Sequence, residues 1–208
     1  MSQLRLASAL GSNLETQMPD TLVSHLHLTE ENERLNAEVI RLRERLIELE
    51  RAADTDPLVN VYNRRAFVRE LERARAIHKR YEIVSSVIYF DLNDFKAVND
   101  RFGHNIGDQL LRKVGHSLTS NIRECDLAAR LGGDEFGVLL FKTDCDIARV
   151  KADALACHIA SQEVHLPTGS VSVSAAWGVA PCDSETNLSQ TLSCADKAMY
   201  QSKNRGRA

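Results

Sequence analysis

Asp91-Leu92-Asn93-Asp94-Phe95-Lys96 sets two carboxylates and an ammonium directly behind an apolar run, Ile83 to Phe90. A carboxylate at the end of a buried strand suits a hard cation such as Mg²⁺, which takes oxygen donors and usually needs one or two protein carboxylates. Lys96 stands where its ammonium would meet a phosphate as a point charge. The plainer reading is a polar turn closing a strand. An EF-hand loop also opens on alternating acids, but its sixth position must be Gly and here is Lys96. The second group is Arg130-Leu131-Gly132-Gly133-Asp134-Glu135-Phe136. Its two glycines predict a tight turn with positive φ and close approach of a ligand to the backbone. Asp134 and Glu135 then stand at the tip of a hairpin. Gly-Gly alone predicts only a turn, whereas paired acids opposite a strand-end acid predict a metal site. A third group, Lys203-Asn204-Arg205-Gly206-Arg207, ends the last predicted helix. Bases there either answer the helix dipole or serve a triphosphate.

The elements that must position these groups follow from periodicity. Ile83 to Phe90 is β-branched and aromatic, which predicts a buried strand. A helix is expected after Asn63, carrying Phe67, Leu71, Ala74 and Ile77, and others over Ile106–Asn121, Ile147–Ser161 and Leu188–Lys203. Leu127–Leu131 and Phe136–Phe141 flank the glycines as a hairpin, and Val171–Ala180 reads as another strand. Upstream, Leu28, Leu35, Leu42 and Leu49 recur in heptad register, with Asn32, Val39, Leu46 and Ala53 at the a positions. In a parallel pair Glu38 faces the partner's Arg43 and Arg45 faces the partner's Glu50, both attractive. The competing arrangement lays an amphipathic helix on its own domain. Pro57 ends the helix. Three segments result: a weakly patterned stretch over 1–27, flexible or partner-binding, a coiled-coil dimerisation stalk over 28–55, and a catalytic domain over 56–208.

Composition narrows the function classes. The 208 residues are 43% hydrophobic and 26% charged, ordinary for a soluble globular chain. A net charge of −3 gives no global pull on nucleic acid. A zipper-type DNA-binding protein needs a basic helix before its leucines, yet residues 1–27 hold one Arg and no Lys. Five scattered cysteines without a Cys-x-x-Cys pair argue against zinc and disulfides and fit a reducing cytoplasm. No secretory segment and no apolar run long enough for a membrane span is evident, so the chain is expected to be cytoplasmic.

Taken in order, the motifs resemble the GGDEF-domain diguanylate cyclases over about residues 56–207. They are Asp56-Pro57-Leu58, Tyr62-Asn63-Arg64-Arg65, Asp91 to Lys96 with Asn99-Asp100, Phe102-Gly103-His104, Gly107-Asp108, and the Gly-Gly-Asp-Glu-Phe hairpin. Asp196, Ala198, Tyr200, Lys203 and Gly206-Arg207 complete the set. The resemblance implies an α/β (α+β) fold with a mainly antiparallel central sheet flanked by helices, related to the nucleotidyl cyclase and polymerase palm. It implies condensation of two GTP into cyclic di-GMP at a homodimer interface, with Mg²⁺ or Mn²⁺. Asp91, Leu92 (through its carbonyl) and Asp134 would hold the metal, and Glu135 would assist as a further ligand or in activating the 3′-hydroxyl. Asn99 and Asp108 would read guanine, Lys96, Lys203 and Arg207 would hold phosphates, and His104 would join the substrate-binding set. Gly132 and Gly133 would leave room for the nucleotide. Arg123-Glu124-Cys125-Asp126 matches the family's inhibitory Arg-x-x-Asp site, so Arg123 and Asp126 would bind cyclic di-GMP as product inhibitor. The alternative is a catalytically silent domain that serves as a cyclic di-GMP receptor. Two departures stand out: Leu58-Val59-Asn60-Val61 replaces the frequent Leu-Thr-Gly-Leu, and Asn93 replaces a frequent Asp. Asn tolerates the left-handed conformation of the missing Gly. With no sensor domain before the stalk, a separate activating protein on the N-terminal segment or stalk is expected.

Overall fold

The computed structural model describes residues 20–167, 169–183 and 199, with side chains at 20–27 and 47–52 left aside. The chain divides after Arg51 into two units. Helix α1 (Asp20–Asp54) carries the leucine repeat. Leu28, Leu35, Val39, Leu42 and Leu46 are 43% to 69% exposed, an apolar seam that the isolated chain leaves in water.

In the second unit, β1 (Tyr62–Asn63) leads into α2 (Arg64–Tyr81). Asn63 caps this helix: its side-chain oxygen accepts from the Ala66 N–H at 3.0 Å, one of the donors a helix start leaves unpaired. Glu82, at φ 56°, ends it in the left-handed conformation. Ile83 and Val84 stay exposed at 37% and 47%, so the strand expected from Ile83 begins instead at Ser85, as β2 (Ser85–Leu92). Asn60 also takes a left-handed φ, 54°, as its side chain allows.

After β2 come α3 (Phe95–Phe102), α4 (His104–Ser120), β3 (Leu127–Arg130), β4 (Glu135–Phe141) and α5 (Cys145–Ala160). Then follow β5 (Glu163–Leu166), β6 (Gly169–Ser172) and β7 (Ala175–Pro181). The main sheet runs β1-β3-β4-β2-β7, parallel only between β1 and β3. This is the mainly antiparallel, helix-flanked architecture the sequence implied. β2 lies inside the sheet with helices on both sides, which explains its continuous apolar run. Its Ile88 and Phe90 pack with Phe136, Val138, Leu110 and Leu155 on the α4–α5 face. Val87 and Tyr89 pack with Phe67, Leu71 and Leu139 on the α2 face.

The short helix α3 was not among the expected elements, and the strand expected over Val171–Ala180 is broken. Its first part, β6, pairs with β5 as a separate hairpin, and only β7 joins the main sheet. The break has a local cause: the Asn93 N–H donates to the Ser174 carbonyl at 2.8 Å and its Nδ2 to Ser174 Oγ at 2.9 Å. Of the expected last helix, Met199 is helical and buried on the α2 face. Lys203 and Arg207 lie outside the described residues.

Candidate active site

β3 and β4 pair from Leu127↔Leu139 to Arg130↔Phe136, and the turn closes where the Leu131 N–H meets the Glu135 carbonyl at 2.8 Å. Neither Gly132 nor Gly133 adopts the positive φ expected of them. Gly132 is required by contact instead. A Cβ there would collide with the Glu135 carboxylate, which folds back over the turn. Gly133 has nothing within 4 Å of where a Cβ would stand, so the open side of the turn is here.

Two arginines hold the turn from behind. Arg130 Nε donates to the Gly132 and Gly133 carbonyls at 3.0 and 3.2 Å, and its Nη2 to the Gly133 carbonyl at 2.7 Å. Arg64 Nη1 donates to the Leu131 carbonyl at 3.3 Å. Arg130 Nη1 also sits 3.4 Å from both oxygens of Asp56. Asp56 is itself fixed, because Oδ1 accepts from the Leu58 and Val59 N–H groups at 2.9 and 3.0 Å. Sequence reasoning gave Arg130, Arg64 and Asp56 no role beyond membership of motifs. The available signal was the repeated presence of Arg and Asp beside turn residues whose carbonyls need donors.

Pairing brings the predicted acids together. Asp91 of β2 stands opposite Glu135 of β4, and the Leu92 N–H donates to the Asp134 carbonyl at 3.1 Å. Among the described residues no three His, Cys, Asp or Glu side chains enclose an ion by themselves. Asp91 and Asp134 are carboxylates of the kind Mg²⁺ takes, and that ion fills its other positions with water and substrate phosphate.

Beside the hairpin lies a cleft of about 350 Å³. Lys96, Asn99, His104, Asp108, Arg130, Gly133 and Asp134 line it over an apolar floor of Phe95 and Leu111. Lys96 and Asn99 come from α3, His104 and Asp108 from α4, and Asp134 from the turn. The two helices meet at Gly103 (φ 84°), which ends one and starts the other. Only glycine holds that conformation without strain. Among the described residues, the side chains of Lys96, Asn99, Asp108 and Asp134 have no hydrogen-bond or ion-pair partner, so they face the cleft ready for a polar ligand.

Arg123 and Asp126 lie elsewhere, at the base of the hairpin. Asp126 Oδ2 accepts from the Arg123 N–H at 3.1 Å and Oδ1 from the Phe141 N–H at 3.0 Å, tying the turn to the end of β4. The Arg123 side chain is exposed and unpartnered among the described residues.

An unpartnered amide, carboxylate and ammonium over an apolar floor, beside a hairpin carrying two acids, define a nucleotide-sized polar site. Residues 53–208 match the family described as "Diguanylate cyclase, GGDEF domain". The chain belongs to that family. It is 36% identical over 177 residues to a probable diguanylate cyclase, DgcE, of Escherichia coli, covering 82% of this chain and 16% of that protein. It spans about half or less of other curated relatives. Among solved structures it is similar to the diguanylate cyclase SiaD of Pseudomonas aeruginosa in complex with its activator SiaC. There the TM-score is 0.77 at 28% identity, covering 99% of this chain and 78% of that one. The coiled coil and GGDEF domain of DgcB from Caulobacter crescentus, in complex with c-di-GMP, gives a TM-score of 0.76 at 28% identity, covering 86% and 95%.

Proposed function

We propose that this protein is a diguanylate cyclase, joining two GTP into cyclic di-GMP and releasing two pyrophosphates. The observation that carries the reading is the cleft in which Lys96, Asn99, Asp108 and Asp134 converge unpartnered beside the Gly132-Gly133 turn. Asp108 accepts from the guanine N1 and N2 donors, and Asn99 matches the acceptor edge of the base. Lys96 and His104 hold the triphosphate, with Lys203 and Arg207 added from the C-terminal tail. Asp91, the Leu92 carbonyl and Asp134 would hold Mg²⁺, which supplies charge neutralisation at the α-phosphate. The 3′-hydroxyl oxygen of each GTP attacks the α-phosphorus of the other, and the bond from α-phosphorus to the pyrophosphate oxygen breaks. Alignment and charge stabilisation account for most of such a transfer. Glu135, folded over Gly132, lies at the hairpin tip to assist the attacking hydroxyl.

One domain binds one GTP, so the product requires two domains face to face. The exposed seam of α1 supports a homodimer that raises the effective concentration of the second half-site. An activating protein on the N-terminal segment or stalk is supported by the similarity to SiaD, whose structure includes its activator. The exposed Arg123, next to Asp126, supports product inhibition by cyclic di-GMP. Among the described residues no helix is long and apolar enough to cross a membrane. The cytoplasm, where GTP is found, is the proposed location. The test is incubation with GTP and Mg²⁺ followed by chromatography. Conversion to cyclic di-GMP by wild type, lost in Asp134→Ala, is expected. Binding of cyclic di-GMP with no turnover at high protein concentration would make the chain a receptor instead.

A further inference from the structure

Gly107 lies in the first turns of α4 and is buried. Its φ is not in the left-handed region, so the backbone does not require glycine there. A glycine inside a helix is less favourable than alanine. Something other than helix formation retains it. A Cβ on Gly107 would collide with the Asn99 Oδ1 atom, standing 3.0 Å from Asn99 Cγ and 3.1 Å from Phe95 Cζ. The contrast with Gly103 and Gly133 is sharp, since neither has anything within 4 Å of that position.

Asn99 and Gly107 are joined through Gly103. The Gly103 N–H donates to the Asn99 carbonyl at 2.9 Å, and the Gly107 N–H to the Gly103 carbonyl at 3.4 Å. The bend at Gly103 thus lays the end of α3 over the start of α4. The Asn99 carboxamide has no hydrogen-bond partner among the described residues. Packing against the bare backbone of Gly107 sets its direction. Asp108, the other proposed guanine reader, is the next residue in the chain.

Resting on the GTP-site reading above, we infer that Gly107 is a specificity-positioning residue: its missing side chain is the seat that aims the Asn99 carboxamide at the base. Gly107 touches neither substrate nor metal. Alanine there turns Asn99 out of its rotamer and leaves the base edge unread, while Lys96, Asp134 and the acids of β2 and β4 stay in place.

The experiment is a double-mutant cycle with the full chain: wild type, Gly107→Ala, Asn99→Ala and the double variant. Titration uses 3′-deoxy-GTP, which lacks the attacking hydroxyl and cannot react, with ATP as the competing base. Gly107→Ala is expected to weaken 3′-deoxy-GTP binding about tenfold to a hundredfold, to narrow the preference over ATP, and to raise KM for GTP more than it lowers kcat. In the Asn99→Ala background the same substitution is expected to change affinity less than about twofold, because the colliding group is gone. Equal penalties in both backgrounds, or wild-type affinity in Gly107→Ala, would overturn the inference while leaving the GTP site standing. Failure of wild type itself to bind 3′-deoxy-GTP would overturn the site reading and this one with it. Should Gly107→Ala not fold, circular dichroism of the double variant decides. Folding restored by Asn99→Ala supports the seat, and folding not restored makes Phe95 the obstructed group and overturns it.

Discussion

Arg130→Ala removes three hydrogen bonds to the Gly132 and Gly133 carbonyls, together with the contact to Asp56. In a dry interior each bond from a charged donor would matter by about 1.5–3 kcal/mol. Here Gly133 is exposed and Gly132 half-buried, so water takes over part of the task. The two carbonyls together then account for about 1–2 kcal/mol. The Arg130–Asp56 pair, with side chains only 16% and 18% exposed, adds about 1 kcal/mol. A loss of about 2–3 kcal/mol lowers Tm by roughly 5–10 °C in a domain of this size. Activity should fall further, because a shift of about 1 Å in a reacting group costs on the order of a hundredfold. The assay pairs thermal unfolding with initial rates of cyclic di-GMP formation for Arg130→Ala, Arg130→Lys and Asp56→Asn. Lysine keeps the charge toward Asp56 but cannot fork across two carbonyls, so it should recover stability more than rate. Asp56→Asn leaves the fork in place and should show a smaller rate loss than Arg130→Ala. An Arg130→Ala variant with wild-type rate, or full rescue of rate by lysine, would show that the fork does not set the shape of the turn.

Three further outcomes are expected. Arg123→Ala should weaken cyclic di-GMP binding in isothermal titration and relieve inhibition at unchanged initial rate, and unchanged affinity would remove the inhibitory role. The hydrogen bond from Arg69 holds the Asp54 carboxyl below its usual range, so its stabilising contribution is full above about pH 4 and is lost as pH falls through the lowered value. Arg69→Ala should therefore flatten the acid limb of a Tm-against-pH curve and leave Tm at pH 8 lower by a few degrees at most. Burial pushes the Cys182 thiol up to about 11, which keeps it protonated at pH 8. Peptide mapping after brief alkylation should find Cys125 and Cys157, both exposed, labelled well before Cys182.

What was legible in the sequence had either strict periodicity or a dense motif. β2 announced itself through an unbroken apolar run, and the hairpin through Leu127 to Phe141 around two glycines. α3 was missed because Phe95, Val98 and Phe102 are its main apolar residues in eight positions otherwise polar or small, too few for a helical pattern to emerge. β5 was missed, and β6 was merged with β7, because Val164, Leu166 and Val171 are too sparse to mark a separate hairpin. The acids of the site were legible by type, but not what surrounds them. That Gly132 makes way for a carboxylate rather than for a left-handed turn depends on where the Glu135 side chain folds. Likewise the contact of Arg130 with Asp56 joins residues 74 positions apart, which no local pattern announces.

The fastening around Asn63 has a consequence for how such a domain is coupled to other elements. Asn63 Nδ2 donates to the Ala53 carbonyl at 2.7 Å and to the Thr55 carbonyl at 3.4 Å, and Arg65 Nη2 reaches the Ala53 carbonyl at 2.7 Å. These grips take hold of main chain, which every residue supplies alike. Asp54, held by Arg69 at 2.7 and 3.0 Å, is gripped by its side chain. The last residues of α1 are therefore held largely through their backbone, with one acid as the side-chain anchor. A single amide side chain, Asn63, thus serves both ends of this connection: it starts α2 and grips the backbone of Ala53 and Thr55 that leads into it.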